Sequence, residues 1–311
     1  MARTVTNYTT IGLVTEVTAG TTPATPALQQ IRATGETFTV DQQFAKSEQF
    51  NPRGQSVDQI LVSKTAPAGG FSFEWADNET GIETILESCA WGAWATDVLL
   101  AGITKKSLTF DIKYEAGATD QYKRFTGMCG NSLNLDFKAA EKIMGSVDFC
   151  GMSSTFIATA IAGATFPAFG TEPVSVCGDM ALASTGITVD AVTALSVKLN
   201  NNCRGHMVLG SFTPTEIVKG TTEITGDIEF YLNAGTVDQI TAYLANTSFT
   251  LVATAGNTTL KKTKFELPKC KFKDLKVQAA ANGQDLMIKG SWEAFDDTST
   301  TSMFKITRNL A

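Results

Sequence analysis

Histidine is all but missing. His206 is the single one in 311 residues, which excludes a multi-histidine metal site and leaves one candidate imidazole base. The six cysteines (Cys89, Cys129, Cys150, Cys177, Cys203, Cys270) include no C-x-x-C pair, so zinc-knuckle and redox motifs have no signature here. The phosphate-cradling G-x-G-x-x-G and Walker loops and the G-x-S-x-G nucleophile turn are absent too. No apolar run approaches the ~18 residues that read as a membrane span, and the first thirty residues lack a basic start followed by an apolar core. Neither a membrane span nor a signal peptide is therefore expected. Charge is sparse, at 18% of residues, and 25 Lys plus Arg against 31 Asp plus Glu leave a net charge of −6. Such a chain repels a phosphate backbone overall, which disfavours general nucleic-acid binding.

What is present is an ordinary globular balance, 43% hydrophobic with 26 glycines, at a length that favours two domains or one large all-β unit. Period-2 alternation dominates. Phe71, Phe73 and Trp75 oppose Ser72 and Glu74; Leu108, Phe110, Ile112 and Tyr114 oppose Thr109, Asp111 and Lys113. The same pattern recurs in Leu133 to Phe137, Val147 to Phe149, Leu195 to Leu199, Ile224 to Leu232, Phe265 to Leu267, Leu286 to Trp292 and Phe304 to Ile306. Only two segments have helical spacing. Ile82, Ile85, Leu86 and Cys89 follow a possible capping box of Thr80 with Glu83, and Val237, Ile240 and Leu244 follow one of Thr236 with Gln239. The expected fold is mainly β and antiparallel, with two short flanking α-helices.

Those helices sit in matching contexts. Each begins four or five residues after an aromatic-rich strand, GGFSFEW or TGDIEFYL. Phe38 and Val40 precede Phe73 by 35 and 33 residues, and Leu195 and Val197 precede Phe230 by the same intervals. After each helix come one alternating strand, a polar loop and a strand pair. The order strand, long excursion, strand, helix, strand, strand, strand is thus written twice, which predicts an internal repeat. The expected boundaries are an N-terminal arm over 1–30, a first domain over 31–152, a connector over 153–190 and a second domain over 191–311. The stretch 41–70 is too long for a hairpin turn, and such excursions usually carry function.

The opening I-R-x-T-G-E-x-F (Ile31 to Phe38), the GGFSFEW strand, the LSVKLNNNCR passage from Leu195, G-S-F at Gly210 to Phe212, TGDIEFYL and the closing SWEAFDD…FKITR occur in one order. In that order they resemble the tail tube proteins of long-tailed (siphovirus-type) bacteriophages, also called major tail proteins, in the group whose tube domain is duplicated within one chain. The resemblance implies two tandem β-sandwich or barrel domains, each with one flanking helix, joining side by side into a continuous barrel around a lumen. Six domains close a ring in such tails, so two-domain chains imply trimeric, pseudo-hexameric rings, with a hexamer of chains as the other option. Rings stack into a hollow tube that conducts DNA into the host, with the N-terminal arm and the 41–70 excursion implied as ring-to-ring contacts. The implied partners are the chain itself, a tape-measure protein and the tail terminator and distal tail proteins. DNA is expected to transit without specific binding, and the location is the virion tail after assembly in the host cytoplasm. Six domains of about four strands at ~4.8 Å give a wall of roughly 110 Å and a backbone diameter of about 40 Å, wide enough for a duplex.

Candidate chemistry is thin beside this. The run KKTKFELPKCKFKDLK holds Lys261, Lys262, Lys264, Lys269, Lys271, Lys273 and Lys276. A nucleic-acid contact would want stacking aromatics on the lysine face, and none interleave, so a solvated strand face or a subunit contact is expected. Cys203 with His206 is a weak pair. Asp227 with Glu229, and Glu293 with Asp296 and Asp297, read as solvated strand faces or turns. The cysteines are expected as free thiols, with Cys129, Cys150 and Cys270 packing as small hydrophobes. No catalytic, cofactor-binding or metal-ligating residue is assigned, no cofactor is expected, and the chain is not read as an enzyme. The rival readings are a Thr-rich β-sandwich adhesin or surface-layer module, and the tube protein of a contractile tail or secretion system.

Overall fold

The computed structural model describes residues 9–39, 42–64, 66–77, 79–115, 119–256, 261–278 and 285–310. Val40, one of the residues that set the repeat interval, lies outside them. The first half of the chain runs β1 (Thr9–Thr15), β2 (Gln29–Ile31), β3 (Ala33–Glu36), β4 (Gln42–Lys46), β5 (Gln59–Lys64), β6 (Ala68–Glu74), α1 (Thr80–Ala90), β7 (Val98–Leu100), β8 (Ser107–Tyr114), β9 (Gln121–Lys138), β10 (Met144–Cys150) and β11 (Ser153–Ile157). The second half runs β12 (Ala181–Ala183), β13 (Val192–Asn200), β14 (Arg204–His206), β15 (Glu216–Val218), β16 (Glu223–Tyr231), α2 (Val237–Leu244), β17 (Phe249–Ala255), β18 (Lys262–Gln278), β19 (Met287–Ala294) and β20 (Lys305–Leu310). The protein is mainly β, with two α-helices among the described residues and antiparallel pairing between all named strands.

The pairing is written twice. In the first half the order is β3–β6–β10–β9–β8–β1, and in the second it is β13–β16–β19–β18–β17–β12. β11 lies on the start of β9 as β20 lies on the start of β18. Register shifts repeat as well. β3 slips against β6 between Ala33 and Gly35, and β13 slips against β16 between Val192 and Ala194. β8 slips against β9 between Leu108 and Phe110, and β17 against β18 between Phe249 and Leu251. Asn131 is the extra residue where β9 shifts against β10, and Lys273 is the extra residue where β18 shifts against β19. A bulge inserts one unpaired residue and bends its strand, so matched bulges give the two halves matched curvature. The ladders correct one detail of the sequence interval. Glu36 opposes Phe71 where Leu195 opposes Ile228, so Phe38 sits level with Val197, because the excursion of the first half is two residues longer.

Between β4 and β5 the excursion is a hairpin in its own two-stranded sheet, and β14–β15 is its shorter counterpart. Residues 9–15 of the expected arm are β1, paired along seven residues with β8, and the connector contributes β11 and β12 to the flanking sheets.

One interior runs through both halves. Phe38, Phe71, Phe110, Phe125 and Phe149 cluster in the first, with Phe110 and Phe149 edge-on at 4.7 Å and Phe38 against Phe125 at 5.0 Å. Phe249 and Phe272 meet at 4.5 Å in the second, and Phe265 bridges the halves, 5.2 Å from Trp75 and 6.3 Å from Phe137. Each such ring pair adds about 0.5–1.5 kcal/mol beyond burial. β8 departs from simple alternation: Thr109 and Asp111 are buried along with Leu108 and Phe110. Their polar groups are matched, Thr109 Oγ1 donating to Glu16 at 2.7 Å and Asp111 pairing with Arg124 at 3.0 Å. Burial pushes the Asp111 carboxyl upward, and Arg124 opposes that push.

The helices differ from their expected caps. Helix α1 buries Ile82, Ile85, Leu86 and Cys89 as the spacing predicts, but its N-cap is Glu79 and no Thr80 capping box forms. At the second helix the box is Asn233 with Thr236, capping the short 3₁₀ turn that leads into α2. Gln239 is buried and its amide donates to the Thr188 carbonyl instead, while Val237 and Leu244 are exposed.

Truncating Phe110 to Ala removes a ring with no solvent exposure and contacts to three others. Unfolding by guanidinium is expected to show a loss of about 3–5 kcal/mol with an unchanged slope.

Candidate assembly edges and conduit wall

The two halves meet along a strand joint. β9 pairs β8 and β11 through its first part, and its second part has β10 on one side and β13 on the other. Seven consecutive residues of β13 take part, from Ala194 opposite Lys138 to Asn200 opposite Ser132. Asn201 then fastens the joint. It is fully buried, and its amide donates to the carbonyls of Cys89 at 2.7 Å and Gly130 at 3.0 Å while its own carbonyl oxygen accepts from Thr222. The β14–β15 hairpin folds down on the first half. Ile217 is buried against Trp91 and Cys129, Lys105 donates to the Ile217 carbonyl, and Lys219 reaches the Gly102 carbonyl at 2.8 Å. Burial lowers the Lys219 ammonium from its usual range. β20 closes the other side, pairing with β7 while Arg308 covers Trp94 at 4.5 Å and pairs with Asp97 and Glu83. Burial raises the Glu83 carboxyl, against the pull of Arg308.

This joint makes a continuous run of eight strands within the 16-stranded sheet, in the order β3–β6–β10–β9–β13–β16–β19–β18, four from each half. Its inner face is apolar and buried: Phe71, Phe73, Val147, Phe149, Leu133, Leu135, Leu195, Ile228, Phe230, Ile288 and Trp292. Gly226 lets the sheet fold tightly there, since a Cβ would lie 2.0 Å from the Ser196 carbonyl oxygen and 2.4 Å from the Trp292 ring. The other face is polar. It carries Glu74, Asp136, Asp148, Glu223, Asp227, Glu229, Asp274 and Glu293 against Lys138, Lys198, Lys271, Lys276 and Lys289. Eight carboxylates stand against these five ammonium groups, with Lys142 from the β9–β10 turn paired to Glu74 and Lys273 exposed at the β18 bulge, which leaves the face mildly acidic. Local pairs, Lys289 with Glu229 at 2.7 Å and Lys276 with Asp274 at 2.6 Å, tie down part of that charge. The sheet ends on two strands with one partner each: β3 pairs only β6, and residues 271–278 of β18 pair only β19 among the described residues. Such margins present rows of unpaired N–H and C=O groups to another chain.

The model of a family described as phage tail tube protein matches residues 6–294. The chain belongs to this family. No curated protein matches it. It is a structural component of the virion tail, and no described helix is long and apolar enough to cross a membrane.

Within this tail tube protein the single residues picked from sequence take ordinary places. In the lysine run, Cys270 and Phe272 face the core, Lys264 pairs with Glu266 at 3.1 Å, Lys261 with Glu172 at 2.6 Å, and Lys271 stands opposite Glu293. Only its last part, from Lys271 on, is margin. His206 is exposed on β14, whereas Cys203 is half-buried with its Sγ 3.6 Å from the Gly130 carbonyl oxygen. Asp227 is exposed, and Asp297 accepts from the Thr300 backbone at 3.0 Å in a turn. All six cysteines are free; Cys89, Cys129 and Cys270 are buried, and Cys150 is half-buried opposite Cys129. Side-by-side joining of the domains is what the resemblance implies; what sequence reading missed is which strands do it, β9 with β13 inside the chain, and which residues stand at the open margins.

Two measurements probe this surface. Replacing the exposed Asp148, Glu223 and Asp227 by Lys reverses the charge balance of the polar face. The variant is expected to retard duplex DNA at about 50 mM salt and release it by about 200 mM, while the parent does not bind at either. Retention by the parent contradicts the account of this face. Burial pushes the Cys129 and Cys203 thiols up to about 12 and raises Cys89 and Cys270 as well, so little thiolate exists at pH 8. Mapping with iodoacetamide is expected to leave Cys89, Cys129 and Cys270 unmodified in folded protein and to modify all six in denaturant.

Proposed function

We propose that three copies of this chain close into a ring, that rings stack head to tail into the tail tube, and that the polar face of the eight-stranded run lines its bore. The observation that carries this reading is the sheet that ends on open margins at both sides. In that reading 31–152 and 191–311 are tandem tube domains, with 1–30 and 153–190 leading into them. Three chains contribute twenty-four strands, twice four from each, which at ~4.8 Å spacing gives a bore wide enough for duplex DNA.

The excess of carboxylates on the polar face supports a conduit and not a binding site. Phosphate is repelled by it, so DNA passes without specific contacts. Stacking falls to the hairpin tips, where Phe50, Val57, Val208 and Leu209 hold exposed apolar side chains. The ends of the tube then meet the tape-measure, terminator and distal tail proteins.

Negative-stain images of the purified protein are expected to show rings or hollow tubes of uniform width, and a monomer at every concentration tried contradicts the reading. Deleting residues 45–66 removes β5 and the end of β4 together with the tip between them, and is expected to leave folded protein that no longer forms long tubes. Tubes of normal length from that variant remove the hairpin from ring stacking.

A further inference from the structure

The joint inside the chain has a missing twin. Positions that the β9–β13 joint covers have equivalents at the chain's margins, and those equivalents are open. Leu135 is 2% exposed, while Val277, at the same place on β18, is 50% exposed. Ile306 on β20 is 2% exposed, and Phe156, its counterpart on β11, is 65% exposed. On the hairpins, Ile217 is 1% exposed and Ile60 is 54% exposed. The matched bulges of β9 and β18 fix the first two equivalences residue by residue, while the hairpins, whose ladders differ in register, are compared as elements.

We infer that the occupant of the β18 margin is β3 of a second copy of this chain, in the register that β13 keeps on β9. This deepens the ring reading and rests on it. Asn134 opposes Lys198 inside the chain, so Lys276 of one copy opposes Thr39 of the next, and Val277 lies beside Phe38. The backbone groups of residues 274–278 then complete their ladder, and Val277 enters the position that Leu135 holds within the chain. Ile60 of the incoming copy covers the neighbour's second half as Ile217 covers the first. Register is strict here, because a slip of one residue turns every side chain to the opposite face. The contact is head-to-tail, and a head-to-tail contact closes into a ring when its rotation divides the circle, which in the ring reading is met by repeating the step already built inside the chain.

Thr39→Cys with Lys276→Cys, treated as assembled protein with the short thiol cross-linker dibromobimane, tests this register. Covalent dimers and a covalent trimer are expected on denaturing gels, while Asn134→Cys with Lys198→Cys links within one chain without a gain in mass. The pair Thr39→Cys with Val277→Cys, one residue out, is expected to give neither. A second variant, Val277→Glu, is expected to keep the parent's thermal midpoint within a few degrees as a monomer and to lose ring formation. Rings that form without the Thr39–Lys276 link while the internal control links, or Val277→Glu rings at parental yield, overturn the register and leave the tube reading standing. Absence of rings from the parent protein overturns both.

Discussion

Backbone hydrogen bonding at sheet margins is the constraint that organises this protein. A wide sheet with a buried apolar face cannot be trimmed at its sides without leaving peptide groups unsatisfied, and natural sheets either blunt such margins or pair them. Here the middle of the sheet shows the second solution. β13 lies along the second part of β9, Asn201 supplies the hydrogen bonds at the end of the ladder, and the β14–β15 hairpin covers the seam. The two outer margins carry the same strand types, the same bulges and the same hairpin, without the cover. A chain that solves the problem once internally carries the pattern for solving it between copies.

The polar face follows from that arrangement. Because strands alternate, burying Leu133, Leu135 and Phe137 puts Ser132, Asn134 and Asp136 on the opposite surface, and the joint makes that surface continuous across the chain. Its acidic excess is modest, and much of the charge is paired locally. Among the described residues its lysines are largely matched by neighbouring carboxylates, which is what the proposed conduit requires of its lining.

Much of this was legible in the sequence. Alternation located the core strands, since Phe71, Phe73, Leu133, Leu135, Ile228 and Phe230 need only a period of two, and the α1 stripe is a plain helical pattern. Repeat counting found the two halves but set Phe38 beside Leu195 where the ladder sets it beside Val197, because counting residues between strands ignores the extra length of the β4–β5 hairpin. Thr80 is already helical in α1, whose N-cap is Glu79, whereas Thr236 is the N-cap of α2 but its hydroxyl pairs back with Asn233 and not forward with Gln239. Asp111 and Thr109 defied alternation because β8 is covered on both sides, and only Glu16 and Arg124, distant in sequence, make that burial tolerable. The joint itself was invisible, since pairing between β9 and β13 is a long-range choice that no local pattern records.

Mass per axial repeat of the assembled tube, from scanning transmission microscopy of unstained tubes, bears most directly on the idea that one chain supplies two equivalent arcs of a closed wall. Three chains per ring are what the duplicated pairing order predicts. Six chains per ring, or an assembly with no fixed ring mass, would contradict it.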